Sequence, residues 1–240
     1  MTTAFEKHTF QFFDDRLSGK TFSDIDFVKC RFNGCTFSAI NVPNVDKVNM
    51  VSLRATARNL RFINCEVGMQ FIGPGIVEDV LLDGLKVSNH FQSLGTVFRH
   101  VVVRGSIDKL MLTPYVDSSG GRFPEIQRAF DQANRTYYET VDWAIDISDA
   151  NFGICDIRGL PARLIRRDPT TQMVLKREKA MQGSWREIDL SGTHWRVSIE
   201  HFLEEGYHDC VLVAAKKAKN FKSLLAGLQR LVDAGITEPE

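Results

Sequence analysis

The chain has 240 residues, of which 43% are hydrophobic, and its thirty lysines and arginines are balanced by thirty aspartates and glutamates. This apolar fraction is sufficient for a folded core and argues against intrinsic disorder. The formal net charge of zero gives no overall attraction to nucleic acid or to an anionic membrane, so neither is expected as a partner.

The sequence predicts a protein of the cytoplasm. It begins without the basic stretch and apolar run of a signal peptide, and no apolar run approaches the roughly 18 residues of a membrane-spanning helix. The five cysteines are odd in number and form no CxxC motif, which favours reduced thiols. Cys30 and Cys35 are expected to be small core residues rather than nucleophiles.

A large apolar residue recurs every five residues near the N-terminus, at Phe22, Phe27, Phe32, Phe37 and Val42. A smaller apolar residue lies two positions before each of the last four, at Ile25, Cys30, Cys35 and Ile40. A period of five is different from the period of two that an ordinary half-buried strand shows. The pattern therefore indicates a repeating structural unit.

The same frame returns every 20 residues, in one series at Phe22, Val42, Phe62, Leu82 and Val102. A second series, broken at Lys47, contains Phe27, Val67, Val87 and Ile107. Four five-residue units per 20-residue turn predict a four-sided coil. One coil cannot bury its own apolar positions, so stability would come from stacking at about 4.8 Å. We predict a mainly β protein with α elements, built on a right-handed parallel quadrilateral β-helix of about five 20-residue coils.

These repeats resemble those of the pentapeptide-repeat family, whose unit is written A(D/N)LXX with the central Leu often replaced by Phe. The resemblance is clearest over residues 20–42 and returns in Ala150-Asn151-Phe152 and Cys155-Asp156-Ile157, with one isolated match at Ile188-Asp189-Leu190. It implies a β-helical fold and a binding or structural role, because most members have such roles. The fold alone fixes no function.

An inserted helix is predicted within residues 122–142 of a β-helix domain that spans 1–160. A loop at 118–121 precedes Pro124, a residue type that favours the first turn of a helix. Apolar residues then follow at helical spacing, at Ile126, Phe130, Ala133, Tyr137 and Val141. This amphipathic helix, over 124–141, is expected to pack on the β-helix, although its stripe could instead face a partner.

Residues 161–240 are predicted to form a helical cap or small domain. Asp168 and Pro169 suggest the start of a helix that runs to about Gln182, and a second helix over 198–205 would end at Gly206. Asn220 could cap a final helix, which Gly235 would terminate. Covering the open end of a β-helix is a structural need, but the last helix could equally serve a homodimer.

A basic segment provides the predicted partner-binding site, composed of Arg158, Arg163, Arg166, Arg167 and Asp168. Guanidinium groups bind phosphate groups and acidic protein surfaces in bidentate geometry. The alternative is a solvated set of arginines with local ion-pair partners.

No catalytic, metal or cofactor site is predicted. His201, Glu205 and His208 offer the donor types of a zinc site, but Gly206 is expected to interrupt their helix. An acidic stretch contains Asp142, Asp146, Asp149 and Asp156. Several of these residues occupy outward repeat positions, so exposure is expected rather than a catalytic role.

The predicted function is that of a non-enzymatic protein-binding module, an immunity or inhibitor protein or an adaptor that acts on another protein. One alternative is a DNA mimic that protects a topoisomerase, which the neutral charge disfavours. Another is an enzyme whose site lies between the β-helix and the C-terminal helices and uses His194, His201 or His208.

Overall fold

A computed structural model describes residues 2–11, 21–33, 36–37, 54–116 and 124–239. Several predicted features lie outside these residues, namely Cys35, Ile40, Val42, Lys47 and the loop at 118–121. The predicted class is confirmed, because the described residues form a mainly β protein with helices and one large parallel sheet.

Twelve strands of the described residues belong to the large sheet, and every pairing within it is parallel. They are β1 (Thr3–Glu6), β2 (Thr9–Gln11), β3 (Thr21–Val28), β4 (Arg31–Asn33), β5 (Thr36–Phe37), β6 (Ala55–Ile72), β7 (Gly75–Leu94), β8 (Val97–Arg99), β9 (Val101–Thr113), β10 (Ile145–Asp146), β11 (Ala150–Ile157) and β12 (Ile165–Arg166).

The 20-residue period is the actual pairing distance between β6 and β7, from Ala55 opposite Gly75 to Val67 opposite Val87. Past Val87 the offset increases to 21 residues, because β7 contains one more residue than β6 at a local irregularity. Leu82 consequently pairs with Val103, and the expected alignment of Leu82 with Val102 is wrong by one position.

The expected alignment of Phe22 with Phe62 is also wrong. Strand β3 pairs with β6 at an offset of 35 residues, which places Phe27 opposite Phe62 and Ile25 opposite Leu60. Since 35 is a multiple of five, the five-residue frame is kept even though the 20-residue one is not. Equivalent apolar positions therefore still meet across the strands.

The N-terminal strands β1 and β2, which the repeat pattern did not predict, extend the ladder of phenylalanines. The ring of Phe27 stacks between Phe5 at 5.8 Å and Phe62 at 4.9 Å, and Phe10 stacks on Phe32 at 5.0 Å. Phe27 and Phe32 are buried. Parallel pairing in register brings like side chains together, so one sequence repeat becomes one continuous core.

Cys30 is a core residue, as predicted, and Cys65 occupies the equivalent position one strand away. Both thiols are buried and donate to main-chain carbonyls, Cys30 to Phe5 and Cys65 to Phe27, each at 3.3 Å. Burial raises the pKa of Cys65 to about 11, so this thiol stays protonated.

Helix α1 (Pro124–Glu139) confirms the predicted insertion and ends slightly earlier than expected. Its stripe packs on the parallel sheet, with Phe130 fully buried. The Tyr137 hydroxyl donates to Glu78 at 3.0 Å, and the Tyr138 hydroxyl accepts from the N–H of Phe98 at 3.3 Å. These bonds satisfy polar groups that the packing removes from water.

The C-terminal region contains a second, antiparallel sheet, in which the strand Gln172–Lys176 lies between Asp209–Val213 and Thr237–Glu238. Its elements are β13 (Gln172–Lys176), α2 (Arg177–Met181), α3 (Trp195–Glu205), β14 (Asp209–Val213), α4 (Phe221–Asp233) and β15 (Thr237–Glu238), with short 3-10 helices at Ala162–Leu164 and Ser184–Glu187. The region is thus mixed rather than helical. The predicted division of the chain at residue 160 stays a prediction, while the parallel sheet continues to Arg166.

The predicted helix from Asp168 to Gln182 is wrong over its first half, where the chain forms strand β13. Met173 and Leu175 face the core of the C-terminal region, whereas Val174 faces the core of the parallel sheet. A strand that is buried on both sides shows no alternation of polarity, and its apolar run cannot be distinguished from a helix by periodicity. Residues 188–190 form no strand either.

The two later helices agree with prediction. Helix α3 ends before Gly206, whose φ of 80° is left-handed, and Gly235 with φ of 69° follows α4. Asn220 precedes α4, but its amide donates to the carbonyl of Gly192 instead of capping the helix. None of the helices in the described ranges has the length and apolar character needed to cross a membrane.

Candidate functional site

The structure disperses most of the predicted arginine site into separate internal contacts. Arg163 donates to the carbonyl of Tyr138 at 3.2 Å. The guanidinium of Arg166 lies 4.1 Å above the ring of Trp143. Arg167 donates to three carbonyls, those of Ala162, Ile165 and Pro239. These contacts are with main-chain carbonyls and one aromatic ring, and each arginine has its own partners.

Asp168 holds together the turn that leads into β13. Its carboxylate accepts from the N–H and hydroxyl of Thr170 at 2.9 and 2.6 Å and from the Thr171 hydroxyl at 2.9 Å, and it lies 3.0 Å from the ammonium of Lys216. Burial acts to raise the pKa of Asp168, but these hydrogen bonds outweigh it and hold the pKa well below its usual range.

Arg158 lies in a different setting, a cleft between β11 and α3 with a volume of about 350 Å³. Its Nη1 donates to Glu205 Oε1 at 2.6 Å, and its Nε lies 3.1 Å from Asp156 Oδ2. One guanidinium is therefore shared between two carboxylates. Of the five predicted site residues, only Arg158 reaches this cleft.

The local structure explains how these side chains meet. Ile154, Asp156 and Arg158 alternate along the chain through the end of β11, so they share a face. On α3, Val197, Ser198, His201 and Glu205 follow the three- and four-residue spacing of one helical face. The cleft forms where these two faces oppose each other.

Burial shapes the electrostatics of the cleft. Partial removal from water raises the pKa of Asp156 and of Glu205, and it lowers the pKa of His194. Apart from its histidines, the cleft is lined by two carboxyl groups, those of Asp156 and Glu205, and by one guanidinium, that of Arg158. Cys155 and Cys210 also line it, and burial raises both of their pKa values, which keeps the thiols protonated.

The mouth of the cleft is apolar. Ile154 is 51% exposed and Val197 is 55% exposed, and both line the cleft. Met181 is the other large hydrophobic side chain that is exposed among the described residues, and it lines neither the cleft nor the cavity of about 600 Å³ beside it. Ile154 and Val197, which we call the two lips of the cleft, are thus aliphatic, whereas the residues between them include charged ones.

A second cavity of about 600 Å³ adjoins the cleft and shares Gly159, Glu205 and Tyr207 in its walls. It extends to the C-terminal half of α1, where Asp131, Arg135 and Glu139 line it, and it includes Arg163 and Asp209. We call the two cavities together the β11–α3 groove.

The expectation of outward exposure fits Asp142 and Asp149, whereas Asp146 and Asp156 are half-buried. Asp142 lies 2.7 Å from Nε2 of His100, Asp146 accepts from Ser148 at 2.6 Å, and Asp149 is exposed. The alternation of Ile154, Asp156 and Arg158 was a sign that these side chains share a face. The opposing wall, α3, was not predictable from β11 alone.

The histidines named for an enzymatic site or a metal site do lie along the groove. His194 and His201 line the cleft, and His208 lines the adjoining cavity. Glu205, however, is bound to Arg158, and Gly206 separates His208 from α3. Over the described ranges, no three His, Cys, Asp or Glu side chains are arranged to hold a metal ion.

Comparisons with protein-family models, with curated proteins and with solved structures find no match to this chain.

Proposed function

We propose that this chain is a non-enzymatic protein-binding module, and that it holds a segment of another protein in the β11–α3 groove. Its framework would be a right-handed, four-sided parallel β-helix. The 20-residue offset between β6 and β7 and the stacking of like residues support such a framework. In this role the protein would act as an inhibitor or immunity protein, or as an adaptor.

The apolar mouth of the groove carries the proposal. Soluble proteins rarely place large aliphatic side chains together around a concave surface unless something covers them. Ile154 and Val197 do so, on opposite walls of one cleft. Protein interfaces combine such an apolar centre with charged residues that fix the register of the partner, which is the arrangement found here.

Binding fits the groove better than catalysis. Both acidic groups of the cleft are engaged by Arg158, and general acid–base catalysis needs a carboxyl group that can exchange its proton with a substrate. The two thiols of the cleft are held in the protonated form, and the thiol itself is a poor nucleophile.

The test is capture of partners from a lysate of the source organism by the immobilised protein and by three variants. Val197→Asp and Ile154→Asp place a charge on each lip, and Met181→Asp makes the same change at an exposed site outside the groove. We expect one stoichiometric protein partner that the wild type and Met181→Asp retain and both lip variants lose. A partner that all four proteins bind equally, or no partner at all, would refute the proposal.

A further inference from the structure

The charges along the groove indicate what kind of partner it takes. Within the part of the chain that the structure describes, five carboxylates and three guanidiniums line it, namely Asp131, Glu139, Asp156, Glu205 and Asp209, with Arg135, Arg158 and Arg163. The chain as a whole has no net charge, so this groove is locally more acidic than the rest of the protein.

The excess of negative charge extends into the cleft, where Asp156 and Glu205 share one cation. The side chain of Glu205 is only 8% exposed, and that of Asp156 is 42% exposed. Arg158 is the one cationic residue among the described residues that line this cleft, and it must serve both carboxylates. A carboxylate that is withdrawn from water without a cation of its own is destabilising, and a second cation would relieve this cost.

We infer that the groove recognises a basic segment of its partner protein, in which a lysine or arginine side chain pairs with Asp156, the more exposed of the two carboxylates that Arg158 bridges. Aliphatic neighbours of that basic residue would pack on Ile154 and Val197. The inference rests on the proposed function and adds the chemistry of the partner. It reverses the sequence-based expectation that the arginine segment binds an acidic partner, since Arg158 is already occupied and the groove around it is acidic.

Three fluorescently labelled nine-residue peptides serve as probes. In each of them leucine alternates with one polar residue, which is lysine in the first peptide, glutamine in the second and glutamate in the third. Binding to the full chain is followed by fluorescence anisotropy. We expect the lysine peptide to bind at least about tenfold more tightly than the glutamine peptide, which is a typical effect of one charge-assisted hydrogen bond in a partly buried site. The glutamate peptide should bind most weakly.

Asp156→Asn removes the charge at nearly constant shape, and Asp149→Asn makes the same change at an exposed position outside the groove. Asp156→Asn should weaken binding of the lysine peptide about tenfold more than binding of the glutamine peptide. Asp149→Asn should alter neither. A further measurement uses the wild type alone. Its affinity for the lysine peptide should fall as the ionic strength rises from about 0.05 to about 0.5 M, because salt screens the attraction between opposite charges.

Equal affinity for the lysine and glutamine peptides, tighter binding of the glutamate peptide, or equal effects of the two asparagine variants would overturn the inference. The captured partner separates this failure from failure of the proposed function. If Val197→Asp abolishes capture but Asp156→Asn leaves it intact, the binding role stands and the basic-segment inference fails. If Val197→Asp leaves capture intact, the proposed binding role itself fails.

Discussion

The parallel sheet and the C-terminal region bury their apolar residues in different ways. In the parallel sheet each core side chain lies beside an equivalent one on the next strand, as Leu60 beside Val80 and Cys65 beside Leu85. The C-terminal core has no such repetition and surrounds two fully buried tryptophans, Trp185 and Trp195. Stability is therefore spread over many similar contacts in one region and concentrated in a few large residues in the other.

The groove lies where the two regions meet, since β11 belongs to the parallel sheet and α3 to the C-terminal region. The N–H of Lys217 donates to the carbonyl of Phe152, and the N–H of Ala162 donates to the carboxylate of Asp209, both at 2.8 Å. The first of these bonds joins β11 to the C-terminal region, and the second holds the chain after β11 to β14. A change that loosens the C-terminal core should consequently disturb the site as well as the fold.

The largest expected effect comes from Trp195→Ala. Trp195 is 1% exposed, and its indole N–H donates to the carbonyl of Leu224 at 2.9 Å. Truncation leaves a large cavity and removes this hydrogen bond, so we expect the free energy of unfolding to fall by about 3–5 kcal/mol. Urea denaturation followed by tryptophan fluorescence and circular dichroism measures this loss.

A matched control for Trp195→Ala is Glu200→Ala, an exposed position on the same helix. It should change the free energy of unfolding by less than about 0.5 kcal/mol. A loss below about 1 kcal/mol for Trp195→Ala would contradict the view that this core depends on a few large residues.

The next largest effects are expected at two glycines that permit close packing, one in each region. A Cβ at Gly153 of β11 would lie 2.5 Å from the carbonyl oxygen of Asp108, and one at Gly227 of α4 would lie 2.8 Å from the ring of Trp195. We expect alanine at either position to destabilise the protein by about 1–3 kcal/mol. For Gly227→Ala this reverses the gain that alanine normally brings to a helix.

Ser223→Ala, at an exposed position of α4, provides the control, because there the ordinary helix propensity should raise stability by a few tenths of a kcal/mol. Thermal unfolding of the three variants ranks them directly. If Gly227→Ala is more stable than the wild type, the space between residue 227 and the ring of Trp195 is large enough to accept a methyl group.

How far the sequence predicts the structure differs between the same two regions. The five-residue frame predicted a parallel arrangement, because in-register stacking requires equivalent residues at fixed intervals. It could not predict the 35-residue offset of Phe27 and Phe62 or the extra residue after Val87, since both preserve the apolar positions while they change the number of residues between them. The fold class was thus more predictable than the register.

In the C-terminal region, periodicity was informative only where one face of an element is exposed. The stripe of α4 and the glycine after it were sufficient to place that helix. Strand β13 has apolar contacts on both sides, so its sequence shows neither period. The groove was the least predictable feature, because Asp156 and Glu205 are far apart in sequence and only the tertiary fold brings them to one arginine.

A smaller effect is expected from Asp168→Asn, which tests whether this predicted binding residue has a structural role instead. Loss of its charged hydrogen bonds should lower the free energy of unfolding by about 2 kcal/mol at pH 7. The folded-state pKa of Asp168 is depressed, so the ionised carboxylate stabilises the fold above the unfolded-state pKa of about 4. That contribution is lost as the pH falls towards the lowered folded-state value.

Denaturant titrations of the wild type and Asp168→Asn between pH 7 and pH 2 follow this dependence. The difference between the two proteins should be constant above about pH 5 and shrink below about pH 4. Asp149→Asn, at an exposed position, should show almost no difference at neutral pH. A difference between wild type and Asp168→Asn that grows on acidification would have the wrong sign for a depressed pKa.

The smallest effect is expected on the outer face of the parallel sheet, where Glu66 lies between Arg31 and Lys86 on neighbouring strands. Both nitrogen–oxygen distances are 3.4 Å, and both cationic side chains are about two-thirds exposed. Because water and salt screen such pairs, we expect Glu66→Gln to lower the free energy of unfolding by less than about 1 kcal/mol and the difference to vanish near 1 M salt. A loss above about 2 kcal/mol that persists in high salt would mean that the charged exterior, and not only the stacked interior, determines the stability of this region.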